Sequence, residues 1–96
     1  MEKILEMDIE QKMREVIRDY IANSASMNKN AIEDNLLIFE QGLLDSMGFL
    51  FLIDFIKEKL NVEVNDKELI VENFDSVNSI VAFVYKKLQN RNHTAP

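Results

Sequence analysis

The chain has 96 residues, 47% of them hydrophobic, with two glycines, one proline and a formal net charge of −6. That is enough for one small globular domain, and it is a helix-rich composition, not that of a disordered chain. Having no cysteine, the chain forms no disulfide, thiolate metal site or protein thiol nucleophile, and its acidic balance argues against nucleic acid, where a basic face supplies most of the affinity.

The longest apolar run, residues 47–53 with Gly48 inside it, is too short to span a bilayer. The N-terminal stretch MEKILEMDIE mixes acids into its apolar residues and offers no signal-peptide core. A cytoplasmic monomer without membrane insertion is therefore expected. One domain is expected over residues 1–96, with its core at about residues 8–90 and flanking segments at 1–7 and 91–96.

From Asp8 onward Ile9, Met13, Val16, Ile17 and Tyr20 recur at helical spacing, and Asp8 with Gln11 reads as a capping box at the helix start. NSASMNKN at residues 23–30 breaks that period. Residues 23–45 read as a long ordered loop, pinned by Ile32, Leu36, Leu37, Ile38 and Phe39 and turning at Gly42. A second helix is predicted over residues 46–60, with Asn61 as its terminating residue and Val62 and Val64 continuing it poorly. Residues 66–71 read as a short helix. Asp75 or Ser76 then caps a last helix carrying Val77, Ile80, Val81, Val84 and Leu88, before a polar tail, NRNHTAP. The sum is all-α: a four-helix bundle of three long helices and one short third helix, with a long first loop.

The stretch QGLLDSMGFLFL contains an Asp-Ser pair, Asp45-Ser46, and ENFDSVNS contains another, Asp75-Ser76. A helix cap is the ordinary reading of either, since Asp and Ser side-chain oxygens accept from otherwise unpaired N–H groups. Ser46 differs in its surroundings. At about 100° per residue, Phe49, Leu52, Ile53, Ile56 and Leu60 share one face of its helix. The opposite face collects Met47, Phe51, Asp54 and Glu58, flanked by Leu50 and Phe55. Either the long loop folds over Met47 and Phe51, or they form an exposed apolar contact patch beside the serine. A phosphate ester on Ser46 would suit a helix N-terminus electrostatically.

GLLDSMGFLFLIDFIKEKLNVEVND resembles the acyl carrier proteins and peptidyl carrier domains, whose hallmark is Asp-Ser-Leu or Asp-Ser-Met at the start of the second helix. The GLLDSMG form is similar to discrete carriers loaded by adenylating ligases, such as D-alanyl carrier proteins. The resemblance extends over about residues 9–88.

It implies an acyl-carrier-type bundle and a non-catalytic carrier. Ser46 would bear a covalent 4′-phosphopantetheine from coenzyme A, placed there by a phosphopantetheinyl transferase that Asp45 helps to meet. An acyl or aminoacyl group would ride on the arm's thiol as a thioester. Partner enzymes, among them an acyl- or aminoacyl-adenylating ligase, would contact Met47, Leu50, Phe51, Asp54, Phe55 and Glu58. Phe51 stands where many carriers have a glutamate, so apolar recognition is expected. The reading set against it is a small helical interaction module in which Ser46 is a plain helix cap.

No spacing points to an EF-hand, zinc, P-loop or nucleophile-elbow site. His93, the single histidine, reads as a solvated tail residue; Glu33/Asp34 and Asp66/Glu68 read as solvated charge. Tyr20, Phe74, Phe83 and Tyr85 are expected in or beside the core.

Overall fold

The computed structural model describes the backbone of residues 2–94 and the side chains of residues 9–90. Among the described residues there are three α-helices and no strand: α1 (Glu2–Ala25), α2 (Ser46–Lys59) and α3 (Val77–Thr94). Three 3₁₀ turns, Lys29–Ala31, Asp66–Glu68 and Val71–Asn73, punctuate the connections. No described helix is long and apolar enough to cross a membrane.

One buried cluster holds the elements together. It takes Met13, Ile17, Ile21 and Ala22 from α1, Leu52, Ile53 and Ile56 from α2, and Val77, Ile80, Val81 and Val84 from α3. Each set follows the three- and four-residue period that puts side chains on one helical face. The connections add Ile32, Ile38, Leu44, Val62 and Phe74. Tyr20 of α1 stacks on Phe55 of α2, ring centroids 4.2 Å apart. Phe49 meets Phe39 edge-on at 5.5 Å and Phe74 at 5.6 Å, and Phe74 meets Phe83 at 5.0 Å. Phe74 is fully buried, and Tyr20, Phe83 and Tyr85 pack half-buried against the core, where the sequence predicts them.

Several boundaries differ from the sequence reading. α1 runs straight through Asp8 and Gln11, so Asp8 is not its N-cap; the Asp8 side chain lies outside the described residues. The helix also continues past Asn23 to Ala25, because Ala22 is buried and adds another turn to the packed face. It stops where Ser26 takes a left-handed φ of 55° and Met27 N–H reaches back to the Ala22 carbonyl at 2.8 Å, the wide-turn closure typical of a helix C-terminus. α2 ends as predicted, with Leu60 as C-cap and Asn61 left-handed at φ 56°.

The short third helix is replaced by two separate 3₁₀ turns. Asn65 N–H bonds the Glu68 carboxylate at 2.9 Å and closes the first turn locally, and extended Ile70 (φ −120°, ψ 146°) interrupts any continuation. At the other end α3 extends through residues read as a polar tail; no glycine or proline stands before Pro96 to stop it. The His93 side chain lies outside the described residues.

Candidate functional site

The site is assembled at the start of α2. Gly42, at φ 79° with open space around it, turns the chain after Gly42 N–H bonds the Phe39 carbonyl at 3.1 Å. That φ is one an L side chain rarely adopts. Leu43 and Leu44 N–H groups then both bond the Ile38 carbonyl, at 2.8 and 3.3 Å, and Leu44 is buried. Asp45 follows in extended conformation, and its Oδ1 accepts from Gly48 N–H at 2.8 Å. Its carbonyl accepts the first intrahelical bond, from Phe49 N–H at 2.8 Å. Asp45 is therefore the N-cap, and Ser46 is the first helical residue. This corrects the reading of Ser46 as a plain cap.

The Ser46 side chain is exposed and makes no hydrogen bond among the described residues. At the second Asp-Ser pair the roles are exchanged. Ser76 is 5% exposed, its Oγ accepts from Ser79 N–H at 3.1 Å, and Asp75 Oδ1 accepts from Ser79 Oγ–H at 2.8 Å. The physical cause lies outside the dipeptides. Asp75 gives its carbonyl to Ile38 N–H at 2.9 Å, which holds it out of the helix and makes Ser76 the capping residue. One serine is committed to structure, the other is free.

Gly48 lets this arrangement close. A Cβ there would sit 3.1 Å from Leu44 Cβ and 3.2 Å from Leu44 Cδ2, so Leu44 would have to shift by a few tenths of an ångström, and it would touch the capping Asp45 Oδ1 at 3.4 Å. The N–H groups at the start of a helix favour an anion placed there. An open groove of about 400 Å³ runs beside the start of α2, lined by Tyr20, Ser24, Leu43, Leu44, Met47 and Phe51 among others.

The first loop does not cover the outer face of α2. Met47 is 58% exposed, and Leu50 and Phe51 are each 56% exposed. Asp54 and Glu58 are exposed on the same outer side, whereas Phe55 is half-buried by its stack on Tyr20. Three features escape a sequence reading: the Leu44–Gly48 contact, the contribution of Tyr20 and Ser24 to the groove, and the tie between Asp34 and Arg14 and Arg18 of α1. The four-residue spacing of Arg14 and Arg18 signals a shared helical face, but names no partner for it.

Among the described residues no group of three or more His, Asp or Glu is placed to hold a metal ion. The site thus belongs to a small all-helical protein with an uncommitted serine at a helix start and an apolar patch beside it. No protein-family model matches the chain, and no curated protein matches it.

Proposed function

We propose that the chain is a discrete acyl or aminoacyl carrier protein, modified at Ser46 by 4′-phosphopantetheine. The observation that carries this reading is the division of labour at the start of α2: Asp45 caps the helix, so the exposed Ser46 hydroxyl has no structural duty. The residues present fit the group. Ser46 Oγ is an accessible nucleophile, no side chain covers it, and the free N–H groups of the first turn favour the negative phosphodiester. Once attached, the arm supplies the thiol that this cysteine-free chain lacks.

Attachment forms a bond from Ser46 Oγ to the pantetheine-bearing phosphorus of coenzyme A and breaks the pyrophosphate linkage. Adenosine 3′,5′-bisphosphate leaves, and the hydroxyl proton passes to a base of the transferase. Asp45, its Oδ1 engaged by Gly48, keeps the helix start rigid during that encounter. Met47, Leu50 and Phe51 offer partner enzymes an apolar contact, with Asp54 and Glu58 as an acidic margin; an adenylating ligase that charges the thiol is the partner class expected. In this reading the protein is a carrier-type bundle in which the two 3₁₀ turns of residues 66–73 occupy the place of the short third helix.

The test is incubation with coenzyme A and broad-specificity phosphopantetheinyl transferases, followed by intact-mass and peptide analysis. A gain of one arm on the peptide containing Ser46 is expected, abolished by Ser46→Ala and preserved in Ser76→Ala. No gain with several transferases would sink the carrier reading. The exposed Met47, Leu50 and Phe51 patch favours a second reading, an interaction module that binds a partner through this face without modification.

A further inference from the structure

We infer that Asp34 is a positioning residue for Ser46: its carboxylate, held by two arginines of α1, and its carbonyl, bonded by the first turn of α3, anchor the loop whose far end seats the start of α2. The functional half of this inference rests on the carrier reading above.

The contacts converge on one residue. Arg18 Nη2 bonds Asp34 Oδ1, and Arg14 Nη1 lies 3.3 Å from Asp34 Oδ2. Arg14 Nη1 also donates to Asn78 Oδ1 at 2.6 Å, while Asn78 N–H donates to the Asp34 carbonyl at 2.9 Å. Arg18 Nε donates to the Ile32 carbonyl at 3.2 Å. The two arginine side chains are 17% exposed and the Asp34 side chain 39%, so the pairs are partly shielded yet still open to screening by added salt. Side chain and backbone of Asp34 thus join α1, the loop and α3 at one point.

From there the constraint runs to the serine through two buried residues of the loop, Ile38 and Leu44. Four residues on, Ile38 N–H bonds the Asp75 carbonyl, and the Ile38 carbonyl receives both Leu43 and Leu44 N–H groups. Leu44 lies so near Gly48, two residues after Ser46, that a Cβ added there would meet Leu44 Cβ at 3.1 Å. Because Ser46 Oγ makes no bond of its own, its position is set by that backbone. A transferase needs the hydroxyl held in line with its phosphorus, and small misplacements of a reacting group are costly.

The test compares wild type, Asp34→Ala and Asp34→Asn by amide hydrogen exchange and by the kinetics of Ser46 modification with coenzyme A and a transferase. Both variants should keep their helical circular dichroism. In Asp34→Ala the Leu43, Leu44 and Gly48 amides should exchange faster by roughly an order of magnitude, with a smaller effect in Asp34→Asn. A carrier that is only part of the time in the competent pose raises the transferase KM by the inverse of that fraction and leaves kcat little changed. Added salt should speed exchange of the same amides in wild type but not in Asp34→Ala, which a loss of packing alone would not produce.

Faster exchange confined to residues 32–36, or unchanged modification despite loosened amides at 43–48, overturns the inference. Should Asp34→Ala fail to fold, Asp34→Asn and Arg18→Gln carry the same comparison. A wild type that no transferase modifies overturns the carrier reading, and the exchange and salt results then decide the mechanical coupling by themselves.

Discussion

At the start of α2 the Gly48 N–H is bonded by Asp45 Oδ1 at 2.8 Å, and at the start of α3 the Ser79 N–H is bonded by Ser76 Oγ at 3.1 Å. Identical dipeptides thus place their capping oxygen on different residues. The sequence signals a helix start at each pair but not which member caps, because that depends on where the preceding carbonyl is drawn. Asp75 is drawn to Ile38 of the distant loop, whereas the Asp45 carbonyl is left to Phe49. The difference is measurable as stability. Asp45→Ala removes a cap and should cost about 0.5–2 kcal/mol, whereas Ser46→Ala, at an exposed and unbonded position, should stay within about 0.5 kcal/mol. Urea midpoints of the two variants, with unchanged slopes, check this. A Ser46→Ala loss as large as that of Asp45→Ala would mean that the serine caps after all and has no hydroxyl to spare.

Helices carried by a regular apolar stripe are legible in the sequence to within a few residues, and the connections are not. α2 begins and ends where its caps predict, since Asp45 and Asn61 are local signals. α1 and α3 overrun their predicted ends because burial of Ala22, and the absence of any breaker before Pro96, outweigh weak propensities. Residues 66–73 form 3₁₀ turns because Glu68 is engaged on several sides. Its carboxylate accepts from Asn65 N–H and from Lys87 Nζ, at 2.9 Å each, and its carbonyl accepts from Asn73 Nδ2 at 2.9 Å. Nothing in the local sequence announces a partner 19 residues away on α3.

This tie predicts a pH dependence. Burial acts to raise the Glu68 pKa and is the largest single influence, but the Asn65 N–H and the Lys87 hydrogen bond and charge together outweigh it, leaving the carboxyl below its ordinary value. A folded-state pKa below the unfolded one gives stability that is full above the unfolded carboxylate range and is lost as pH falls through the folded value. Between about pH 7 and about pH 3, wild type should therefore lose more stability than Glu68→Gln, and the gap between their urea midpoints should narrow on acidification. A constant gap would show that Glu68 acts by shape and hydrogen bonding alone.

Across the whole molecule, the all-helical class and the core-facing residues follow from periodicity, but which side of α2 the first loop covers does not. Ile32, Ile38 and Leu44 of that loop are buried with the helical residues, yet Met47, Leu50 and Phe51 remain outside. Composition alone does not separate Phe51 from Phe74; only their places in the packing do. Phe74 has no exposed surface, and its ring lies 5.6 Å from Phe49 and 5.0 Å from Phe83, so it joins the loop–α2 aromatics to α3. Phe74→Ala removes that bridge and leaves a cavity in a core too small to collapse around it, at a cost of about 3–5 kcal/mol. A domain of this size has a total stability near the low end of about 5–15 kcal/mol. The variant should therefore populate unfolded or loosely packed forms near room temperature, with near-ultraviolet circular dichroism lost ahead of the far-ultraviolet helical signal. Phe51→Ala, at a residue more than half exposed, should shift the melt by less than about 0.5 kcal/mol. Thermal and urea melts of both variants decide the matter. If Phe51→Ala proved as damaging as Phe74→Ala, the outer face of α2 would be part of the core in solution, and the apolar patch beside Ser46 would no longer be available to a partner.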